Sequence, residues 1–600
     1  MKRLVIVSNR LPYQVHERNK QISLKASSGG LVSAINSYFE TGGGSAFSGK
    51  CWVGYAGTTE EKWKRLEDEQ KLPGEYTIEP VFIADKLYDQ YYNGFANSVL
   101  WPLFHYFPSY VAYRSEYYDA YKKVNEQFAE KLLEVLNEDD VVWIHDYHLF
   151  LLPSLLREKM PGLTIGFFLH IPFPTFEIFR LLPSRWQKEL LQGLLGADLV
   201  GFHTIEYKRY FLESLQMVLN VENDFGKVFY NKRVIDTDIF PIGIDYHKFS
   251  SAAMNPRIIA LKDEIRKNFQ DRKIIFSLDR LDYTKGVMQR LNGYEKFLES
   301  YPEWREKLVM LLNVIPSRDK VYKYKERKRM IEEKVSGVNG KFSSYTWQPI
   351  VYFYKHLDFD NLAAAYQAAD IALVTPLRDG MNLVSKEYVA SRTDGRGALV
   401  LSELAGAANE LSEAIMVNPT DEAGMAEAIH EALHLSPNRQ SEKLRLMQKR
   451  IRDYDVNRWV DDFLTELNGI KEFQRQRGAV IFDKDNCALT MEKIRQAQSR
   501  LFFFDYDGTL MPFARFPTEA APHDGLLEKL AAICADPKNN VVIISGRDRG
   551  TLEAWLGKLP VTIVAEHGAL IRRVGQPWEE LGQLSDEWKD IVLPTLQLFT

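Results

Sequence analysis

Short apolar runs alternate with stretches of helical periodicity along most of this chain, the pattern of parallel sheets joined by crossover helices. Buried strands are predicted at 4–7, 141–144, 164–169, 199–202, 274–278, 309–314, 371–374 and 398–401. The breakers in Phe240-Pro-Ile-Gly-Ile-Asp245 mark a hinge, and the polar stretch from Lys471 to Ser499 reads as a linker carrying a helix. The predicted fold class is therefore α/β, with one Rossmann-like domain over 1–240 and a second over 241–470, separated by a cleft. A helical pattern over 456–468 closes the second domain or returns to the first. A linker follows over 471–499. A further α/β domain over 500–600 opens with the apolar run Leu501-Phe-Phe-Phe504.

Six hundred residues are too many for one core, which agrees with this partition. A net charge of -5 argues against a nucleic-acid partner. Cys51, Cys487 and Cys534 are too scattered for a disulfide framework or a zinc cluster, and no apolar run is long enough to cross a bilayer. A cytoplasmic protein without a membrane partner is expected, with the oligomeric state left open. The basic run 320–334 has acidic residues interleaved and is expected to be a solvated helix face.

The chemistry gathers at predicted strand ends. After Ile371–Val374 comes a turn at Asp379-Gly380 and a helix starting near Asn382. Gly380 permits close backbone approach, and the helix start offers N–H groups and a positive dipole end to a phosphate. Asp379 and Glu387 suit sugar hydroxyls. The same segment also fits an ordinary strand–turn–helix with solvated charges. Arg280 and Lys285 follow the predicted strand 274–278, a placement suited to a diphosphate leaving group. Arg10 and the pair Gly29-Gly30 lie in turns after the first strand, suited to holding a phosphate. His145-Asp-Tyr-His148 and His170 also end strands. Asp146 is favoured there as a ligand for a hydroxyl over a metal site built from the two histidines. The aromatics around Tyr92 and Trp101 fit either core packing or a ligand wall.

Taken in order, the segments SNR, SSGGL, YYNGFANSVLWPLFHY, WIHDYHL, FFLHIPFPTFEIFR, FPIGID, RLDYTKG, PSR and TPLRDGMNLVSKEYV resemble those of trehalose-6-phosphate synthases over roughly residues 1–465. The resemblance implies a GT-B fold of two facing Rossmann-like domains. It also implies retaining glucosyl transfer from UDP-glucose to glucose 6-phosphate, with no cofactor. Arg10, Tyr92, Trp101 and Arg318 are implied to hold the acceptor, Asp146 its sugar, and His170 the donor glucose. Gly29, Gly30, Arg280, Lys285, Asp379 and the helix start Leu383, Val384, Ser385, Lys386 and Glu387 are implied to hold the donor, with backbone near Leu357 against the uracil. The rivals are a related transferase using another acceptor or ADP-glucose, and a non-catalytic synthase-like protein.

A second chemistry begins at Phe504-Asp505-Tyr-Asp507-Gly-Thr509, where two carboxylates alternate at a strand end, one fit to attack phosphorus and the other to handle a proton. Ser545-Gly-Arg547 ends another predicted strand. Together with Ala565-Glu-His-Gly-Ala569, these segments resemble the haloacid-dehalogenase superfamily and trehalose-6-phosphate phosphatases. The resemblance implies Asp505 as nucleophile, Asp507 as acid/base, and Thr509, Ser545 and Arg547 on the phosphate or its sugar. It also implies Mg²⁺ on Asp505 and Asp507 in a complete domain. The family's later lysine and acidic ligands have no clear counterpart. Asp586, Lys589 and Asp590 fall in a helical pattern with no strand after it. A piece of a longer bifunctional enzyme, with a weak or inactive phosphatase half, is expected.

Overall fold

The computed structural model describes residues 2–18, 21–26, 30–40, 47–69, 76–317, 322–477, 484–512, 514 and 516–580. Gly29, Arg318, Asp586, Lys589 and Asp590 lie outside the described residues. The chain forms two compact units, residues 1–479 and 480–600.

Among its described residues the first unit holds two large sheets and the small antiparallel pair Tyr13–Arg18 and Gln21–Ala26. In the N-terminal lobe the strand order is Thr77–Val81, Gly49–Tyr55, Arg3–Arg10, Val141–His145, Thr164–Phe168, Leu199–Phe202 and Arg233–Ile239, all parallel, followed by the antiparallel Lys227–Tyr230 and Asn223–Asp224. The second lobe is fully parallel, in the order Ile350–Tyr354, Leu308–Ile315, Lys273–Arg280, Ile371–Val374, Ala398–Ser402 and Ile415–Val417. Every predicted strand is present, because runs buried on both faces announce themselves by unbroken hydrophobicity. The strands without such runs were missed. Gly49–Tyr55 carries two glycines, and Arg233–Ile239 is interrupted by Asp236, Thr237 and Asp238. The basic run lies in the helix Tyr322–Phe342, where Lys328 pairs with Glu332 and Arg329 with Glu333 one turn away. It is a solvated face, as expected.

One boundary shifts. The helix expected over 456–468 runs Val456–Arg477, through the start of the predicted linker, and crosses back onto the N-terminal lobe. Phe463 packs where Gly166 and Gly201 have no side chain; a Cβ on either would come within 2.7–2.8 Å of its ring. Further along, Lys471 and Gln474 reach Asp198 at the head of the strand Leu199–Phe202. Asp198 is fully buried and also meets Arg157 at 2.8 Å and Arg233 at 2.7 Å. Burial raises its pKa, but the surrounding cations outweigh that and hold the carboxyl below the usual range. A polar stretch that reads as linker is thus a helix whose charges are spent on a buried carboxylate. That pairing is invisible in local periodicity.

The second unit carries the sheet order Arg500–Asp505, Asn539–Ile544, Thr562–Ala565, Leu570–Arg572 and Trp578–Glu580, with helices Asp524–Cys534 and Arg549–Leu556. Its first three strands are parallel, so Asp505 and Ser545 emerge at the same sheet end.

Candidate active site

A cavity of about 1180 Å³ opens between the two lobes. Arg10, Gly30, Tyr55, Tyr88 and Tyr92 line it from the N-terminal lobe; Arg280, Leu357, Leu383, Val384 and Glu387 line it from the other. Two walls from opposite sheets therefore meet at the carboxyl ends of their strands, where α/β folds bind ligands.

The N-terminal wall is built on stacked rings. Arg10 ends the strand Arg3–Arg10, its guanidinium 4.6 Å from the Tyr92 ring centre, and its Nε donates to the Tyr88 hydroxyl at 3.2 Å. Tyr88 stacks on Tyr55 at 3.8 Å and on Tyr92 at 5.4 Å. Tyr92 lies on the π-helix Gln90–Leu100, and Trp101 opens the helix Trp101–Phe104 that follows it. The wider winding of a π-helix is a frequent companion of functional sites. Tyr92 faces the cavity, and Trp101 is 5 % exposed in the core. Core packing thus accounts for Trp101, while Tyr92 borders the cavity.

On the other wall, the strand Ile371–Val374 leads through Asp379-Gly380 into the helix Leu383–Ser391. Asn382, at φ 88°, caps that helix by accepting from the Ser385 amide at 3.1 Å. A phosphate at this helix start must therefore be met by the amides of Leu383 and Val384. Helical spacing sorts the predicted donor residues. Leu383, Val384 and Glu387 share the cavity face, whereas Ser385 and Lys386 turn inward and are buried. Lys386 donates to Glu410 and to the Ile242 carbonyl, each at 2.7 Å. Ser385 and Lys386 can therefore meet a ligand only through the backbone of the helix start. Glu387 accepts from the Tyr366 hydroxyl at 2.7 Å; burial pushes its pKa up, and that hydrogen bond offsets part of the rise.

Trp101, Asp146, His170, Lys285 and Asp379 do not line this cavity; they are held by contacts within each lobe and between the two. Lys285 Nζ donates to Asp379 Oδ2 at 2.6 Å, and Asn382 donates to the same oxygen at 3.0 Å. Burial raises the Asp379 carboxyl, but Lys285 overrides it and the net shift is downward. Asp146 sits at φ 77°, a backbone conformation costly for any residue with a side chain, and its carboxylate accepts the His170 amide at 3.3 Å. Gly380 passes against His170: a Cβ there would lie 2.3 Å from the His170 carbonyl oxygen. The close approach at this glycine is thus to the backbone of the opposite lobe, where a ligand was expected. Trp101 Nε1 lies 3.4 Å from Asp282 Oδ1, another contact between lobes.

Sequence reading missed Arg290, which is fully buried. It pairs with Asp279 at 2.7 Å and donates to the Lys285 carbonyl at 3.1 Å, fixing the turn that carries Lys285. Its signal is an arginine on the same helical face as Val287, Leu291 and Tyr294. Tyr88 and Asn382 were missed as well. Tyr88 carries no local signal, since its role follows from stacking, whereas Asn382 carries the ordinary signal of an N-cap asparagine at the expected helix start.

In the second unit, Asp505, Asp507, Ser545, Arg547 and His567 line a separate cavity of about 860 Å³. Arg547 grips Asp507 through two nitrogens, at 2.6 and 2.9 Å. Thr509 donates to Asp505 at 3.3 Å. All five predicted phosphatase-like residues thus come together.

The glycosyltransferase family 20 model matches residues 2–469, and the trehalose-phosphatase model matches residues 503–600. The chain belongs to glycosyltransferase family 20. It is 42 % identical to a bifunctional trehalose-6-phosphate synthase/phosphatase of Thermoproteus tenax over 98 % of this chain and 80 % of that protein. Among solved structures, the UDP-forming α,α-trehalose-phosphate synthase of Burkholderia xenovorans in complex with glucose-6-phosphate superposes with TM-score 0.70 at 33 % identity. It covers 78 % of this chain and 100 % of its own. The N-terminal domain of Candida albicans trehalose-6-phosphate phosphatase reaches the same TM-score at 31 % identity, over 78 % of this chain and 97 % of its own. The family-20 fold therefore also occurs in a domain named for the phosphatase, and the side chains must carry the functional argument. No helix among the described residues is long and apolar enough to cross a membrane.

Proposed function

We propose that residues 1–479 transfer glucose from UDP-glucose to glucose 6-phosphate, giving α,α-trehalose 6-phosphate and UDP with retention of anomeric configuration. The observation that carries this reading is the difference between the cavity's two walls. One offers Arg10 beside stacked tyrosines, fit for a hexose phosphate. The other offers Arg280, the helix start at Leu383 and Val384, and Glu387, fit for a diphosphate and a ribose. Leu357 lies beside the expected uracil. Trp101 and Asp146 contact the acceptor, and His170 the donor glucose.

As the donor bond breaks, negative charge grows on the diphosphate, and Arg280 and Lys285 meet it. The acceptor hydroxyl enters from the face the diphosphate leaves. Asp379 holds Lys285 until the donor arrives and then takes a sugar hydroxyl. Incubating the chain with UDP-glucose and glucose 6-phosphate is expected to release UDP together with a non-reducing disaccharide phosphate. Release of free glucose, a preference for ADP-glucose, or no turnover would each overturn part of the reading. The non-catalytic alternative draws on the Candida albicans neighbour. Arg10, Tyr92 and Arg280 on the cavity walls, and Lys285 held by Asp379, argue against it.

For residues 480–600 we propose a phosphatase-like site with Asp505 as nucleophile and Asp507 as acid/base. No cluster of three metal-ligating side chains occurs among the described residues, and Arg547 occupies Asp507. A Mg²⁺ held by Asp505 and Asp507 would have to displace Arg547 from Asp507. Phosphate release from trehalose 6-phosphate is expected to be far slower than glucosyl transfer. The free thiols Cys51, Cys487 and Cys534 support a reducing, cytoplasmic setting.

A further inference from the structure

His145 ends the strand Val141–His145, is fully buried, and touches no wall of the cavity. Its Nδ1 lies 3.1 Å from His170 Nε2. Two imidazoles at this distance share one proton between the facing nitrogens, so one ring donates and the other accepts. Burial depresses both histidines well below the usual range, so both are neutral rings with a definite tautomer. Which ring donates decides what His170 can offer a ligand.

The far side of His145 settles the choice. His145 Nε2 is buried and has no hydrogen-bond partner. If His145 Nδ1 accepted, its proton would sit on Nε2 as an orphaned buried N–H, a rarer and costlier defect than an unsatisfied lone pair. The surroundings sharpen the difference. Trp143 and Trp459 pack with this ring at 4.5 and 6.5 Å, and both of their indole N–H groups are also buried without a partner. Indole nitrogen only donates. A third orphaned N–H would add one more unmet donor to a cluster that already holds two.

We infer that His145 is a positioning residue: its Nδ1–H donates to His170 Nε2 and thereby fixes His170 in the tautomer protonated at Nδ1. His170 then presents a hydrogen-bond donor to a sugar hydroxyl oxygen at its remaining nitrogen. His203 holds the other side of the same residue, its ring 5.5 Å from that of His170. This role rests on the proposed sugar transfer only for the identity of the hydroxyl; the tautomer itself is independent of any substrate.

The direct test is long-range proton–nitrogen correlation on the full chain labelled with ¹⁵N-histidine, the two rings being assigned with His170→Gln and His145→Asn. Neutral rings protonated at Nδ1 are expected for both residues; a His170 protonated at Nε2 overturns the inference even if transfer is normal. The functional test compares two replacements. His145→Leu removes the donor and is expected to lower kcat about ten-fold, with KM for UDP-glucose within about two-fold, as for loss of one oriented hydrogen bond. His145→Asn places an amide N–H near the position of Nδ1 and is expected to recover most of that loss. Equal damage by Leu and Asn, at matched melting temperatures, overturns the positioning role. Absence of transfer by the wild-type chain would sink the proposed reaction while leaving the nitrogen spectrum to decide the tautomer.

Discussion

Lys285 Nζ lies 2.6 Å from Asp379 Oδ2, although the two residues belong to different turns of the second lobe and sit 94 positions apart. Each would otherwise be an unpaired charge in a poorly hydrated place, so the pair holds both in register until an anion competes for the cation. Removing Lys285 should therefore remove transition-state charge stabilisation rather than the fold. For Lys285→Ala, kcat is expected to fall by about two orders of magnitude, corresponding to loss of ~3 kcal/mol from one charge-stabilising group. Steady-state UDP release measures this, with far-UV circular dichroism as the control. Near-normal turnover would take Lys285 out of the reaction.

Arg10 lies on the other wall, held against Tyr92 and Tyr88. A charge-assisted bond to phosphate contributes about 1.5–3 kcal/mol. Arg10→Ala is accordingly expected to raise KM for glucose 6-phosphate by roughly ten- to a hundred-fold while leaving KM for UDP-glucose unchanged. A change confined to the donor would reverse the assignment of the two walls.

Gly380 tests whether the lobes must touch. The added methyl of Gly380→Ala would meet the His170 carbonyl oxygen, which belongs to the backbone and cannot rotate away. Transfer is expected to be almost abolished while UDP still binds within a few-fold, since the proposed UDP contacts come chiefly from the second lobe. Isothermal titration with UDP separates these outcomes; loss of both would point to misfolding of the turn instead.

Asp198 is one source of pH dependence in the folding of the N-terminal lobe. Its folded pKa lies below its unfolded value, so its contribution is present above about pH 4 and is lost as pH falls through the folded pKa. Asp198→Ala leaves Arg157, Arg233 and Lys471 facing one another. It is expected to destabilise the first unit by about 3–5 kcal/mol at neutral pH. The loss should shrink under acid, because the wild type then gives up the same interaction. Urea midpoints at pH 7 and pH 3.5 check the sign; a loss that grows on acidification would contradict it.

The helix spanning 456–477 shows where local reading ends. Its apolar stripe was visible, yet its destination was not, because Phe463 fits over Gly166 and Gly201 only once those strands lie side by side. Ser385 and Lys386 make the same point within the site: motif membership placed them on the donor side, and helix rotation turned them into the core.

What the chain's own order determined was the α/β class, the buried strands, and the strand-end positions of Arg10, Asp146, Arg280, Lys285, Asp379 and Asp505. Those follow from unbroken apolar runs and from the polar residues that end them, which are local properties. Tertiary structure alone decided that Lys285 pairs with Asp379, that Gly380 touches His170, and that His145 faces His170 ring to ring. Such relationships depend on distances between segments far apart in sequence, and no periodicity within one segment encodes them.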